Sequence, residues 1–287
     1  MNFDELEEYD LDSSRNPYQI VSEKKEPYIK QLYWDMAIGL QAVDNLTPSD
    51  YLIKLSNENI EGKINTYEVE DLLKAYYKDK DLNIRETADK HECDIVATRI
   101  VELIDDPRFS FNVFAFKEIH KYLFKDIYDF AGKIRNYNIS KKEFILNRDT
   151  VFYSPYDRIE ATLNHDLKEE KEFDYTSISI RKQVERIADF TSRIWQVHPF
   201  GEGNTRTVAV FMTQYLKNIG YNVSNKPFKD NSAYFRNALV RSNYSNREKG
   251  IKPTLEYLIK FYENLIADGT HELKSRDLIV NELFSDR

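Results

Sequence analysis

Only eight glycines and eight prolines interrupt a chain of 287 residues, about half of what average usage would supply. With so few positions able to take a positive φ or to break a hydrogen-bond ladder, tight turns are scarce and long helices are favoured. Hydrophobic residues make up 41% and charged residues 31%, a balance that supports a packed core and argues against global disorder. The length fits one large domain, or one of about 180 residues with a smaller module. A net charge of −8 makes a general nucleic-acid binder a poor fit. Cys93 is the single cysteine, which rules out an internal disulfide and disfavours a Cys-based zinc site, as in a reducing compartment. No 18-residue apolar stretch is present, and the start, MNFDELEEYDLD, carries six acids in twelve residues rather than a basic, apolar leader. The expected location is therefore the cytoplasm, with no membrane partner.

Apolar periodicity orders the rest. Residues 1–27 are acidic and aperiodic, and read as a partly ordered leader. Ile29, Leu32, Tyr33, Met36, Ala37 and Leu40 recur at helical spacing. Thr47-Pro48 reads as a cap and first residue of a second helix ending at Gly62, and Asn65-Thr66 with Glu68 opens a third through Tyr76. These three helices form a small module, and the charged run at 78–83 predicts a boundary, dividing the chain into 1–80 and 81–287. Further helices are expected at 86–104, 113–131, 155–170, 180–197, 204–219, 230–243 and 253–268. Between them, 133–153 breaks the period. Ile134, Tyr137 and Ile139, then Phe144, Ile145 and Leu146, flank a polar Ser140-Lys141-Lys142, the pattern of a hairpin.

Two of the eight glycines fall in His198-Pro199-Phe200-Gly201-Glu202-Gly203-Asn204-Thr205-Arg206, between two predicted helices. A helix N-terminus offers unpaired N–H groups and a positive dipole end. Gly201 and Gly203 allow a ligand to approach the backbone, so the loop reads as a phosphate cradle. Arg206 can bind phosphate oxygens bidentately, and Glu202 supplies the single carboxylate that Mg²⁺ needs beside phosphates. His198 suits general-base work near neutrality. Singly, such a His or Gly-x-Gly is more often a turn or a structural residue. Together in nine residues they describe phosphoryl or nucleotidyl transfer.

The segment HPFGEGNTR resembles the active-site motif of Fic domain proteins, HxFx(D/E)GN(G/K)R. The upstream run Ile119-His120, Leu123-Phe124, Ile127-Tyr128 and Ala131-Gly132-Lys133-Ile134-Arg135 resembles the stretch before that family's flap. The resemblance covers roughly residues 90–270. It implies an all-α Fic-fold helical bundle with a small β-hairpin flap, and AMP transfer from ATP to a protein Tyr, Thr or Ser hydroxyl. His198 would be the base and Glu202 the Mg²⁺ ligand. Gly201, Gly203, Asn204, Thr205 and Arg206 would hold phosphates. Ile139, Lys141, Phe144 and Ile145 would form the flap that docks the target, and Tyr234, Phe235 and Asn243 would fall at the adenine pocket. The twenty tyrosines and the family's habit point to self-modification as well.

Two departures stand out. Thr205 replaces the usual Gly (or the Lys of the kinase-like Doc branch), and Ala209 replaces a second Arg that normally grips the γ-phosphate. Residues 28–77 resemble the small three-helix antitoxins that clamp Fic domains. Their brake, (S/T)xxxE(G/N), is matched best by Leu40 with Asp44-Asn45, where Ser has become Leu and Glu has become Asp. With Ala209 in place, the usual inhibitory ion pair is expected to be missing and the restraint weak. The alternatives to AMP transfer are a Doc-like kinase and a degenerate Fic scaffold that binds nucleotide or partner without transfer.

Overall fold

A computed structural model describes residues 26–284, so most of the acidic leader lies outside it. Ten α-helices follow one another: α1 Pro27–Gly39, α2 Asp50–Ile60, α3 Thr66–Tyr77, α4 Arg85–Asp105, α5 Val113–Phe124, α6 Ile159–Lys171, α7 Ile180–Val197, α8 Asn204–Asn218, α9 Lys226–Asn243 and α10 Glu256–Ile266. The fold is all-α. Among the described residues there is no strand, and one isolated antiparallel bridge joins Asn246 to Ile251. None of these helices is long and apolar enough to cross a membrane.

Helix α8 is the axis. Every residue from Asn204 to Leu216 is buried, and α4, α5, α7 and a 3-10 turn at Leu40–Asp44 pack round it. A helix with no wet face needs neighbours on all sides, and its N-terminal turn is thereby aimed at the inter-helix space where the glycine loop lies. The N-terminal helices share this core: Trp34, Met36, Ala37, Leu40, Leu52, Val69 and Leu73 cluster with the residues of α4, α8 and α9.

Two buried polar stations on α4 tie α2 and α3 down. Asp94 accepts from the Ser49 N–H at 2.9 Å, the Ser49 hydroxyl at 2.5 Å and the Tyr77 hydroxyl at 2.7 Å. Arg99 donates to Glu70 at 2.8 Å and to the carbonyls of Leu123 and Lys125. Buried polar groups of this kind persist because each is partnered.

Local structure departs from the periodicity in three places. The cap of α2 is Ser49, whose hydroxyl accepts from the Leu52 N–H, and not Thr47. Helix α5 stops at Phe124, because Arg99 takes carbonyls at its end and Asp126 turns left-handed at φ 66°. The expected hairpin is a loop with a 3-10 turn at Phe144–Leu146. Two backbone bonds, Glu143 N–H to Asp149 C=O and Arg148 N–H to Glu143 C=O, both at 2.9 Å, close the loop in place of a ladder. Ile145 and Leu146 are drawn into the core, and Asn147 and Arg148 sit at φ 50° and 71°, which no strand tolerates. By contrast Asn65 and Glu68 form the capping box that their spacing implies.

Gly39 marks where α1 meets α9. A Cβ there would lie 2.6 Å from Lys229 Cα and from the Phe228 carbonyl. Gly39→Ala should therefore push the two helices apart and lower stability by about 1–3 kcal/mol, read as a shifted midpoint in urea unfolding. An unchanged midpoint would show that the crossing yields freely.

Candidate active site

The loop 198–203 joins the end of α7 to the start of α8. His198 closes α7 in the left-handed region, φ 48°, and Gly203 precedes α8 at φ 77°. The reason for glycine at 203 is steric: a Cβ would lie 2.4 Å from the Phe124 ring. Asn204 braces the loop by accepting from the Phe200 N–H and donating to the Phe200 carbonyl, both at 2.9 Å. Thr205 turns its hydroxyl to the Trp195 indole N–H at 3.0 Å. Its side chain is thus turned into the core.

Two neutral histidines hold and furnish the loop. His120 Nδ1 accepts from the Gly132 N–H at 2.8 Å, so the proton is on Nε2, which donates to the Glu202 carbonyl at 3.0 Å. Its ring lies stacked on Phe200. Burial pushes His120 down to about 4. His198 Nδ1 donates to the Trp195 carbonyl at 3.2 Å, which leaves Nε2 as an acceptor. Burial, with Lys141, Arg236 and Arg135 as lesser contributors, pushes His198 down to about 3. Tyr153 and Trp195 pack on its ring at 4.2 and 5.1 Å. Arg135 staples the neighbouring chain, donating to the carbonyls of His198, Tyr137 and Ser154.

A cleft of about 630 Å³ opens at the N-terminus of α8, a size typical of small-ligand sites. Glu202, Arg206, Asp44, Asn45, Lys141, Phe144 and Ile145 all line it. His198, only 7% exposed, sits outside that lining. Glu202 is half exposed, with Lys141 Nζ 3.6 Å away and the Gly203 N–H donating to it at 3.2 Å. A half-exposed carboxylate beside a helix N-terminus and an arginine suits a hydrated Mg²⁺ that shares its shell with phosphates.

Arg206 is wholly buried and surrounded. It donates to Glu92 at 2.6 Å and to Gln41 at 3.1 Å, and it lies over the Phe124 ring. Its Nε is 2.9 Å from Asp44 Oδ2, an ion pair not aligned as a hydrogen bond. Burial would lower its pKa, but Asp44 and Glu92 outweigh burial and raise it.

This corrects the reading that Asp44 lacks an arginine. Ala209 is indeed buried in the core, but Asp44 reaches Arg206 instead. Asn45 makes the left-handed turn, φ 58°, that ends the Leu40–Asp44 segment, a conformation Asn tolerates. Leu40 is buried in the hydrophobic core. The α9 residues at the cleft are Ala233, Arg236 and Asn237. Tyr234 bonds the Tyr257 carbonyl, Phe235 is in the core, and Asn243 bonds Ser192, because they occupy other faces of the helix. Ile145 anchors the flap through its buried side chain, and its carbonyl is taken by the Val280 N–H. Phe144 is 78% exposed, whereas Ile139 is half-buried and outside the cleft. Glu92, Gln41, Tyr153 and Arg236 escaped the sequence reading. None sits in a local motif, and long-range folding alone brings them here.

Residues 110–216 match the model of the Fic/DOC family. Similar proteins are the protein adenylyltransferase VbhT of Bartonella schoenbuchensis, 28% identical over 114 residues, and the probable protein adenylyltransferase y4lH of Sinorhizobium fredii, 28% identical over 129. A third is the probable protein adenylyltransferase Fic of Escherichia coli, 30% identical over 110 residues. These matches cover 40%, 44% and 38% of this chain, and 23%, 62% and 51% of those proteins. The chain thus spans less than two thirds of the length of each.

The His120 tautomer has a measurable signature. Its ordinary value is 6.5 and its folded value about 4. As pH falls through that window the unfolded chain takes up a proton that the native chain refuses. Stability is therefore present above 6.5 and lost towards 4, by at most about 1.4 kcal/mol per pH unit from this group. His120→Asn, which keeps an acceptor for Gly132, should show a shallower decline between pH 6.5 and 4 in urea titrations. An identical slope would assign the proton uptake elsewhere.

Proposed function

We propose that this chain is a protein adenylyltransferase, moving AMP from ATP to a protein Tyr, Thr or Ser hydroxyl. The observation that carries the reading is the convergence of Glu202 and Arg206 on one polar cleft at the N-terminus of α8, with a neutral, oriented His198 at the adjoining loop. The relatives' names support the same class.

In this mechanism the target hydroxyl oxygen attacks the α-phosphorus of ATP. The bond from that phosphorus to the bridging oxygen of the β-phosphate breaks, pyrophosphate leaves, and His198 Nε2 takes the hydroxyl proton. Nδ1 stays bound to the Trp195 carbonyl, so the ring cannot turn its N–H toward the hydroxyl. Glu202 would hold Mg²⁺, which when bound supplies positive charge beside the phosphates. Arg206 and the first N–H groups of α8 bind the phosphate chain. Phosphates arriving near Lys141 and Arg236 offset two of the cations that depress His198, and so raise its basicity toward the useful range. The exposed side of the flap, with Phe144 outermost, receives the target segment. Exposed tyrosines such as Tyr28, Tyr67 and Tyr137 offer sites for self-modification.

The N-terminal helices restrain the reaction. Asp44 and Gln41 on the Leu40–Asp44 turn occupy Arg206 together with Glu92 of α4. An incoming phosphate must displace them.

Two measurements test the reading. With ATP and Mg²⁺, intact-mass spectra of the protein and of supplied protein substrates should show AMP adducts. His198→Ala should lower the rate by about 10²–10⁴-fold and leave ATP affinity nearly unchanged. Phosphate adducts would favour the kinase, and bound ATP without any adduct would favour the scaffold. As to restraint, Asp44→Gly should raise transfer by less than about tenfold, under roughly 1.4 kcal/mol, because Glu92 and Gln41 still hold Arg206. Adding Glu92→Gln should raise it further. Equal rates for the single and double variants would remove Glu92 from the brake.

A further inference from the structure

The cleft carries a second guanidinium, one that the reaction described above places near the phosphates without giving it a contact. Arg236 of α9 lines it together with Arg206. Its two terminal nitrogens donate to the two carboxylate oxygens of Glu143, at 2.7 and 3.0 Å. The Arg236 side chain is 14% exposed and that of Glu143 is 2%. Burial would lower the pKa of Arg236, but Glu143, and after it Asp44, outweigh burial and raise it. Glu143 belongs to the flap: its N–H bonds Asp149 and its carbonyl accepts from Arg148.

The side chains lining the cleft include five carboxylates, Asp44, Asp89, Glu92, Glu143 and Glu202, against four cations, Lys141, Lys142, Arg206 and Arg236. A polyphosphate therefore reaches either guanidinium only by exchange with a resident carboxylate. Arg206 is enclosed on every side and exchanges with difficulty. Arg236 is in a different position. It keeps an edge in the cleft, and its fork is already engaged by two oxygens in the arrangement that a phosphate also presents. The residues flanking Glu143, Lys142 and Phe144, are exposed, so a released carboxylate has water beside it. One phosphate group can satisfy one fork. A triphosphate has further groups for a second.

We propose that Arg236 is a second phosphate-binding residue of the cleft, and that Glu143 of the flap is its resident competitor, displaced when a nucleoside triphosphate binds. This rests on the adenylyltransferase reading for the identity of the ligand. It adds a coupling: occupation of the cleft unlatches the flap from α9, so that the segment which receives the target is released only when the phosphate donor is present.

The test is equilibrium binding of ATP, AMP and inorganic tripolyphosphate to the full chain, wild type and variants, with hydrogen exchange followed over residues 137–153. Arg236→Gln should weaken ATP and tripolyphosphate about 10–100-fold and AMP less than about threefold. Glu143→Gln should tighten ATP and tripolyphosphate several-fold. In the wild type, ATP should accelerate exchange in 137–153, and in Arg236→Gln it should not. Because either single change leaves a buried group without its partner, the Glu143→Gln/Arg236→Gln pair serves as the folded reference, and it should bind ATP as weakly as Arg236→Gln. ATP affinity equal to wild type in both Arg236→Gln and the pair would overturn the proposal while leaving the adenylyltransferase reading intact. Failure of the wild type to bind ATP or tripolyphosphate at all would overturn both.

Discussion

A guanidinium taken wholly out of water must be met by acceptors, and the cost of leaving a buried charge unmatched is several kcal/mol. Arg206 is such a group. Its matching atoms come from three places: the Leu40–Asp44 turn, α4 and the Phe124 ring of α5. The N-terminal helices are thus held by the same cation that opens α8. Their position is further secured by Asp94 and Arg99 on α4, which bind the cap of α2 and the end of α3. The atoms that would restrain the proposed reaction are also atoms that keep a buried charge in a tolerable state.

The quality of those contacts is uneven. Glu92 is close and directed, Gln41 is neutral, and Asp44 is near but misaligned, with Oδ2 lacking any other hydrogen-bond partner. An aspartate stands where the resemblance leads one to expect a glutamate, and the shorter side chain meets a different arginine at a poor angle. An ion pair of this kind contributes charge but little direction. In the proposed reaction a polyphosphate, bringing several oxygens and better angles, would replace this contact.

The sequence was most informative where chemistry is local. HPFGEGNTR named the loop, and helical periodicity named most of the elements, because a 3.6-residue repeat and a cap such as Asn65 with Glu68 are short-range facts. It failed where distant segments decide. Residues 113–131 read as one helix, but Arg99, from another helix, ends it at Phe124. Alternating Ile139, Phe144 and Ile145 read as a strand pair, but the pull of the core on Ile145 and Leu146 bends the segment into a 3-10 turn. Tyr234, Phe235 and Asn243 were nominated by position in the chain, and helix phase turned Ala233, Arg236 and Asn237 to the cleft instead. Glu92 has no local signature whatever, since 114 residues separate it from Arg206.

The two tryptophans of the chain occupy different compartments of this arrangement. Trp34 donates to Asn59 within the N-terminal helices, while Trp195 lies edge-on to His198, and its carbonyl and indole N–H hold the catalytic ring and Thr205. Both are buried. The molecule therefore contains two intrinsic fluorophores, one seated among the N-terminal helices and one against the His198 ring, so that replacing either tryptophan leaves an emission that reports on the surroundings of the other.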